Sequence, residues 1–131
     1  MLVADDCPFN VFAMQSLLVQ LNVDADFCSN GEDAIQSVMQ REQSGSPMYK
    51  LILLDYSMPV CDGPKATRAI RAFLTKKGYS PQDQPIICFV TAYQEDQKQK
   101  AAQEAGIDLY LVKPVFKNHL HKVLIKAKLI S

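Results

Sequence analysis

Short apolar runs alternate with longer segments of helical periodicity along this chain, and no other feature restricts its fold as strongly. Each connection between successive runs is long enough to hold a helix, so the strands must pair in parallel through right-handed crossovers. The pattern predicts an α/β domain, with a doubly wound, five-stranded parallel sheet between two layers that together contain five helices. The predicted strands comprise residues 2–4, 23–28, 51–54, 86–90 and 109–112.

Capping and turn residues predict several helix boundaries. Pro8 suits the first turn of a helix, and Asn30 can cap the helix that begins beside it. A polar helix is predicted over Glu95–Glu104, with Gly106 following its end. The last helix is predicted over about Lys117–Leu129. The predicted buried stripe of the first helix consists of Phe12, Leu17, Leu18 and Leu21.

Length, charge and cysteine content exclude several classes of protein. The 131 residues are predicted to form a single domain, residues 1–131. Lys plus Arg and Asp plus Glu are both 14, so no net field favours direct nucleic-acid binding. No apolar run reaches the roughly 18 residues of a membrane span, and no signal peptide is present. Four separated cysteines without a Cys-x-x-Cys pair indicate free thiols and a cytoplasmic location.

A basic run falls on the predicted third helix and the loop after it. We interpret this run as a solvated helix face that needs no function. It consists of Lys65, Arg68, Arg71, Lys76 and Lys77.

Polar residues stand at the ends of the predicted strands. In a doubly wound sheet, ligands bind outside the carboxyl ends of the strands, so these side chains are expected to converge on one crevice. A single Asp, Thr or Lys at such a position is usually a helix cap, a turn residue or a surface charge. Five together indicate a site. The five residues are Asp5, Asp6, Asp55, Thr91 and Lys113.

The chemistry of this set points to phosphoryl transfer. Three carboxylates repel one another unless a hard cation such as Mg²⁺ shares them. Lys113 adds a positive charge and Thr91 a hydroxyl donor, which together can hold a phosphoryl group. Asp55 directly follows a continuous apolar strand and is predicted to be the nucleophile. Asp5 and Asp6 are predicted to bind Mg²⁺. Asp55 is expected to touch the metal as well, and the Ser57 carbonyl to contribute a ligand.

Four segments of the chain resemble the receiver domains of two-component response regulators and hybrid histidine kinases. The most specific element is Asp-x-x-Met-Pro-x-x-x-Gly, here Asp55–Gly63, followed later by Lys113-Pro114. The four segments are Val3–Asp6, Leu53–Gly63, Val90–Ala92 and Gly106–Pro114. The stretch Asp5–Asn10 is similar to the Asp-x-x-Pro-x-Asn segment of hybrid-kinase receivers.

The resemblance implies a flavodoxin-like strand order of 2-1-3-4-5. It implies that Asp55 is phosphorylated and that Asp5, Asp6 and the Ser57 carbonyl bind Mg²⁺. Thr91 and Lys113 would hold the phosphoryl group, and the Lys113-Pro114 bond would be cis. Tyr110 would rotate inward as Thr91 moves. Ser57 and Tyr93 occupy positions that tune dephosphorylation in the family.

The implied partner is a histidine kinase or a histidine phosphotransfer protein, and the resemblance is compatible with covalently linked kinase domains outside this chain. The implied role is phosphoacceptance in a phosphorelay, with catalysis only of the chain's own phosphorylation and dephosphorylation. No contact with nucleic acid or a membrane is expected.

Three other functions compete with this interpretation. An aspartyl phosphatase typically carries Asp-x-Asp, but Tyr56-Ser57 follows Asp55, so the acid is missing. A flavodoxin-type electron carrier needs a Ser/Thr/Gly-rich phosphate loop after the first strand, where Asp5-Asp6 would repel phosphate. A phosphorylation-independent interaction domain of the same fold stays open as the alternative.

Overall fold

The computed structural model describes residues 1–92 and 96–131. Within the second range, residues 96–99 and 101 are described by their backbone alone. All strand pairs are parallel, in the order β2-β1-β3-β4-β5, which confirms the predicted fold class and strand order. The strands are β1 (Leu2–Ala4), β2 (Asp26–Cys28), β3 (Leu51–Asp55), β4 (Ile86–Thr91) and β5 (Leu109–Val112). The helices are α1 (Pro8–Gln20), α2 (Gly31–Gln43), α3 (Gly63–Lys76), α4 (Asp96–Ala105) and α5 (Lys117–Lys126), with a short 3-10 turn at Pro81–Asp83.

Two apolar cores lie on opposite faces of the sheet. Alternation along β3 sends Leu51 and Leu53 toward α1 and α5, and Ile52 and Leu54 toward α2, α3 and α4. All four side chains are fully buried, and each such burial contributes about 1.5–3 kcal/mol. The continuous apolar run therefore marks a strand covered on both faces. Within the described residues, no helix is both long and apolar enough to cross a membrane.

The predicted capping residues lie where the sequence places them. Asn30 Oδ1 accepts a hydrogen bond of 2.8 Å from the Asp33 N–H, and α2 begins at the next residue. Gly106 follows α4 with φ of +98°, a conformation that suits glycine. Within the described residues α4 begins at Asp96. Glu95, its predicted first residue, lies outside them.

The predicted buried stripe of α1 is partly wrong. Met14 and Leu18 are the buried residues of this helix, whereas Phe12 is 68% exposed. Phe12 lies two residues before Met14 and therefore about 200° away around the helix. The helix has no charged residue and carries apolar side chains on nearly every side, so apolar character alone does not identify its buried face. The edge strand β2 is also shorter than predicted and begins at Asp26.

The interpretation of the basic run fails at Arg71, whose guanidinium is held at the amino end of the sheet, where strands β4 and β5 begin. Its Nη2 lies 2.8 Å from Asp108 Oδ2, its Nη1 donates to the Pro85 carbonyl at 2.8 Å, and its Nε donates to the Gly106 carbonyl at 3.1 Å. Lys65 and Arg68 are exposed, as expected of a solvated face.

Candidate functional site

The carboxyl ends of β1 and β3 bring three carboxylates together. Ala4 pairs with Leu54 in the sheet, so Asp5 and Asp55 leave neighbouring strands side by side. One carboxylate oxygen from each of Asp5, Asp6 and Asp55 lies within 4.8 Å of the other two. Asp5 and Asp55 are buried, and Asp6 is exposed. Hard divalent cations prefer such a set of oxygen atoms, so these residues fit Mg²⁺.

One lysine faces this cluster. Lys113 follows β5, and its Nζ lies 3.2 Å from Asp55 Oδ1. Its backbone N–H donates to the Thr91 carbonyl at 2.7 Å, which fixes the start of the β5–α5 segment. The Lys113-Pro114 peptide bond is cis, the isomer that the resemblance implies. The ammonium group offsets only part of the negative charge that the three carboxylates carry.

The electrostatics of Asp55 reflect that imbalance. Burial raises the pKa of Asp55 above its ordinary value, and the neighbouring Asp5 and Asp6 carboxylates raise it further. Lys113 acts in the opposite direction but does not cancel the increase. A cation beside the carboxylates would therefore favour the ionised, nucleophilic form of Asp55.

Thr91 is the last residue of β4 and is buried. Val90 pairs with Asp55 across the sheet, so Thr91 stands one residue beyond the level of Asp55 at the same edge. All five residues predicted from the strand ends therefore come to one edge of the sheet. Ser57 is exposed in the β3–α3 loop, and Tyr93 lies outside the described residues.

Tyr110 belongs to a row of aromatic rings beside this edge. Its ring meets Phe89 edge-on, with centroids 6.5 Å apart, and Phe89 meets Tyr56 edge-on at 5.6 Å. Tyr110 is half-buried, and burial raises its pKa. Phe89 lies two residues before Thr91, so the row connects the site to β5. Tyr56 and Phe89 were not predicted to pack in a row with Tyr110, although both lie within two residues of predicted site residues.

The β3–α3 loop folds back tightly because of Gly63. Its N–H donates to the Tyr56 carbonyl at 2.9 Å. A Cβ at this position would lie 3.0 Å from the Asp55 carbonyl oxygen, so a side chain here would push against the backbone of Asp55 itself. Asp62 then caps α3 by accepting a hydrogen bond of 2.9 Å from the Lys65 N–H. The glycine of the motif therefore keeps the loop close to Asp55.

A cavity of about 370 Å³ opens beside the carboxylates, between α1 and the β5–α5 segment. Asp5, Asp55 and Lys113 are its charged lining, and most of its remaining wall is apolar. Phe9 of α1 lines it and is 77% exposed, whereas Phe12 of α1 and Phe116 are exposed without lining it.

Comparison with known proteins agrees with this geometry. The family model of the response regulator receiver domain matches residues 1–125. The chain belongs to this family. The sensor protein GacS of Pseudomonas syringae is 31% identical over 125 residues, which cover 95% of this chain. The chain spans only 13% of the length of GacS.

Two solved receiver domains illustrate the family's contacts. The receiver of the histidine kinase CKI1 from Arabidopsis thaliana, complexed with Mg²⁺ and BeF₃⁻, is 27% identical with a TM-score of 0.82, over 98% of this chain and 89% of that one. The receiver of Ssk1 from Saccharomyces cerevisiae, in a co-crystal with the histidine phosphotransfer protein Ypd1, is 26% identical with a TM-score of 0.81, over 95% of this chain and 85% of that one.

Proposed function

We propose that this receiver domain is the phosphoacceptor of a histidine-to-aspartate phosphorelay and that Asp55 takes the phosphoryl group. The observation that carries the proposal is the placement of Asp55. Its buried carboxylate lies within 4.8 Å of two further carboxylates and 3.2 Å from the Lys113 ammonium group. Apolar strands hold these groups from both sides, so little reorganisation is needed when a phosphoryl group arrives.

Asp5, Asp6 and Asp55 would hold Mg²⁺, with the Ser57 carbonyl as a further ligand. When bound, the cation neutralises charge on the phosphoryl oxygens. The match of the acidic cluster to oxygen ligands supports this assignment, as does the Mg²⁺ complex of the CKI1 receiver. The chain supplies three negative charges and one positive charge here, so it needs a cation before an anionic donor can approach.

In the proposed step, an Asp55 carboxylate oxygen forms a bond to phosphorus while the bond between phosphorus and a histidine nitrogen of the donor breaks. The electron pair of the broken bond returns to the imidazole, which takes up a proton from water. Lys113 pairs with the phosphoryl oxygens, and the Thr91 hydroxyl donates to one of them. The chain acts on no other substrate: it promotes its own phosphorylation and the later hydrolysis of the acyl phosphate.

Phosphorylation would be transmitted through Thr91 and Tyr110. Movement of Thr91 toward the phosphoryl group opens space beside Phe89, against which the Tyr110 ring already packs edge-on. The half-buried Tyr110 can then turn further inward and change the surface that β5 and α5 present to a partner.

A protein is the phosphodonor that this surface suits best. Phe9 leaves its apolar ring exposed at this charged pocket, and exposed apolar surface beside such a pocket marks a site of protein contact. Ypd1 binds the similar Ssk1 receiver, and GacS is a sensor protein that contains a matching segment. We therefore infer a histidine kinase or histidine phosphotransfer protein as the donor, in the cytoplasm. A kinase domain covalently linked to this chain is one form that such a donor can take.

Intact mass after incubation with Mg²⁺ and acetyl phosphate tests the nucleophile. The wild-type protein should gain one phosphoryl group, whereas Asp55→Asn and chelated wild type should gain none. Asp62→Asn is the matched control, because it alters a carboxylate in the same loop yet keeps an effective helix cap. Labelling of Asp55→Asn would show that another residue is the nucleophile. The absence of labelling in folded wild type would favour the phosphorylation-independent interaction domain.

A further inference from the structure

Val60, at the tip of the β3–α3 loop, has a backbone conformation that its side chain disfavours. Its φ is +70°, and the Cys61 N–H donates to the Pro59 carbonyl at 2.7 Å, which closes a three-residue turn around it. A γ-turn with positive φ is rare and strained, and a β-branched residue is especially unfavourable there. Glycine or asparagine would adopt this conformation more readily.

The fold gains little from the Val60 side chain in return. Val60 is 81% exposed, the most exposed of the large apolar residues that the structure describes. It adds no apolar burial to either core, and its β-branched side chain strains the turn. Strain of this kind persists where the surroundings hold it, and it concentrates at functional sites.

The surroundings hold this turn from both sides. Met58 and Cys61 are buried in the core beneath α2 and α3. The Cys61 carbonyl accepts a hydrogen bond of 3.1 Å from the Gly31 N–H, and a Cβ on Gly31 would lie only 2.3 Å from that oxygen. Helix α2 therefore fixes the turn at close range, and Val60 projects into solvent from a rigid support.

The loop that carries Val60 begins at the phosphoacceptor. Val60 follows Asp55 by five residues. The hydrogen bond from the Gly63 N–H to the Tyr56 carbonyl closes the base of the loop, next to Asp55. Val60 is therefore an exposed apolar side chain on the loop that leaves the phosphoacceptor directly. We propose that Val60 is a specificity-determining contact for the histidine-bearing phosphodonor and inserts its isopropyl group into an apolar surface beside the phosphohistidine. The proposal rests on the proposed function.

The test separates the donor contact from the chemistry at Asp55. A panel of phosphorylated histidine phosphotransfer proteins that includes yeast Ypd1 is screened, and the fastest donor to wild type is kept. For each variant, the kcat/KM for this protein donor is divided by the rate constant for labelling by acetyl phosphate, a small donor that makes no protein–protein contact. The quotient is the donor ratio, and it isolates the contribution of the protein contact. Val60→Asn and Val60→Gly should lower this ratio about tenfold, mainly through KM, equivalent to about 1.4 kcal/mol. Val60→Ile, which keeps the apolar branch, should stay within about twofold of wild type.

The strain provides a second, independent readout. Val60→Asn should raise the thermal midpoint by about 4 °C, because it relieves the turn while keeping a side chain of similar size. Val19→Asn is the matched control, since Val19 is an exposed valine on α1 far along the chain from Asp55. It should alter neither the midpoint nor the ratio.

Three results would overturn the proposal. If the ratio measured for Val60→Asn equals that of wild type, the donor does not touch this side chain. If the thermal midpoint of Val60→Asn falls, the turn is not strained. Failure of every protein donor, with acetyl phosphate still labelling Asp55, would remove the Val60 contact and leave the phosphoacceptor in place. Failure of acetyl phosphate as well would count against the proposed function itself.

Discussion

The two ends of the sheet differ in how far their charged side chains are paired. At the amino end, where the strands begin, Arg71 binds Asp108 and two backbone carbonyls, while Asp108 also accepts the Ile87 N–H at 2.9 Å. Beside the edge strand, the Tyr49 hydroxyl donates to Asp26 at 2.7 Å. Arg71, Asp108 and Asp26 therefore each have an opposite charge or a hydrogen-bond partner.

At the carboxyl end, three carboxylates share one lysine. Asp5, Asp6 and Asp55 lie together, and Lys113 contacts Asp55 alone among them in the described residues. Burial is the main cause of the raised pKa of Asp55, and the negative charges of Asp5 and Asp6 add to it. The amino end therefore contributes stability, whereas the carboxyl end reduces it and retains a charge imbalance that a cation and a phosphoryl group can correct.

Removing the Arg71 side chain should have the largest effect on the stability difference between the two ends of the sheet. In Arg71→Met, Asp108 loses its ion pair and the Pro85 and Gly106 carbonyls lose their donor. We expect the free energy of unfolding in urea to fall by about 2–3 kcal/mol, less than for a fully buried pair because Asp108 is partly exposed. Labelling of Asp55 by acetyl phosphate should persist wherever the variant is folded.

Arg68→Met is the control for that measurement. Arg68 lies three residues earlier on α3 and is exposed, so its loss should change stability by no more than about 0.5 kcal/mol. Equal effects at the two positions would show that Arg71 contributes nothing beyond an ordinary surface arginine.

Neutralising Asp55 should have a smaller effect of the opposite sign. In chelated buffer at neutral pH, Asp55→Asn should raise the free energy of unfolding by on the order of 1 kcal/mol, because a buried charge leaves an acidic cluster. Asp62→Asn should show no such gain. Mg²⁺ at tenfold its dissociation constant should stabilise wild type by about 1.4 kcal/mol, and Asp55→Asn by less.

The pH dependence of that difference follows from the raised pKa of Asp55. The folded protein holds the Asp55 proton more tightly than the unfolded chain, so the protonated group contributes stability below the ordinary value of 3.8. That contribution is lost as pH rises through the folded pKa. The advantage of Asp55→Asn should therefore shrink as pH falls toward 3.8. An advantage independent of pH would mean that packing, not charge, causes it.

The carboxyl end could be predicted from sequence because its residues are marked by strand ends. Asp55, Thr91 and Lys113 each close or follow an apolar run, and alternation with helices brings such ends to one edge. Their roles in phosphoryl transfer stay predictions, as do those of Ser57 and Tyr110.

The amino end and the loop conformation could not be predicted in the same way. Arg71 and Asp108 are 37 residues apart, and no local pattern links them. The exposure of Phe12 could not be predicted, because α1 is apolar on nearly every side and its sequence does not distinguish the buried face from the exposed one. The positive φ of Val60 depends on how α2 and α3 anchor the loop, which residue types alone do not reveal.

The smallest effect on stability should come from Tyr49, and it can be measured through its dependence on pH. Burial, followed by the hydrogen bond to Asp26, raises the pKa of Tyr49 to about 12. The folded state therefore favours the neutral phenol, so its stabilisation is complete below pH 10 and is lost between pH 10 and about 12. A tyrosinate absorbance titration should show one of the five tyrosines ionising last, near pH 12, and Tyr49→Phe should remove that phase. Tyr49→Phe should cost about 0.5–1 kcal/mol at neutral pH. Ionisation of Tyr49 near pH 10 would mean that the hydroxyl is not held at this end of the sheet.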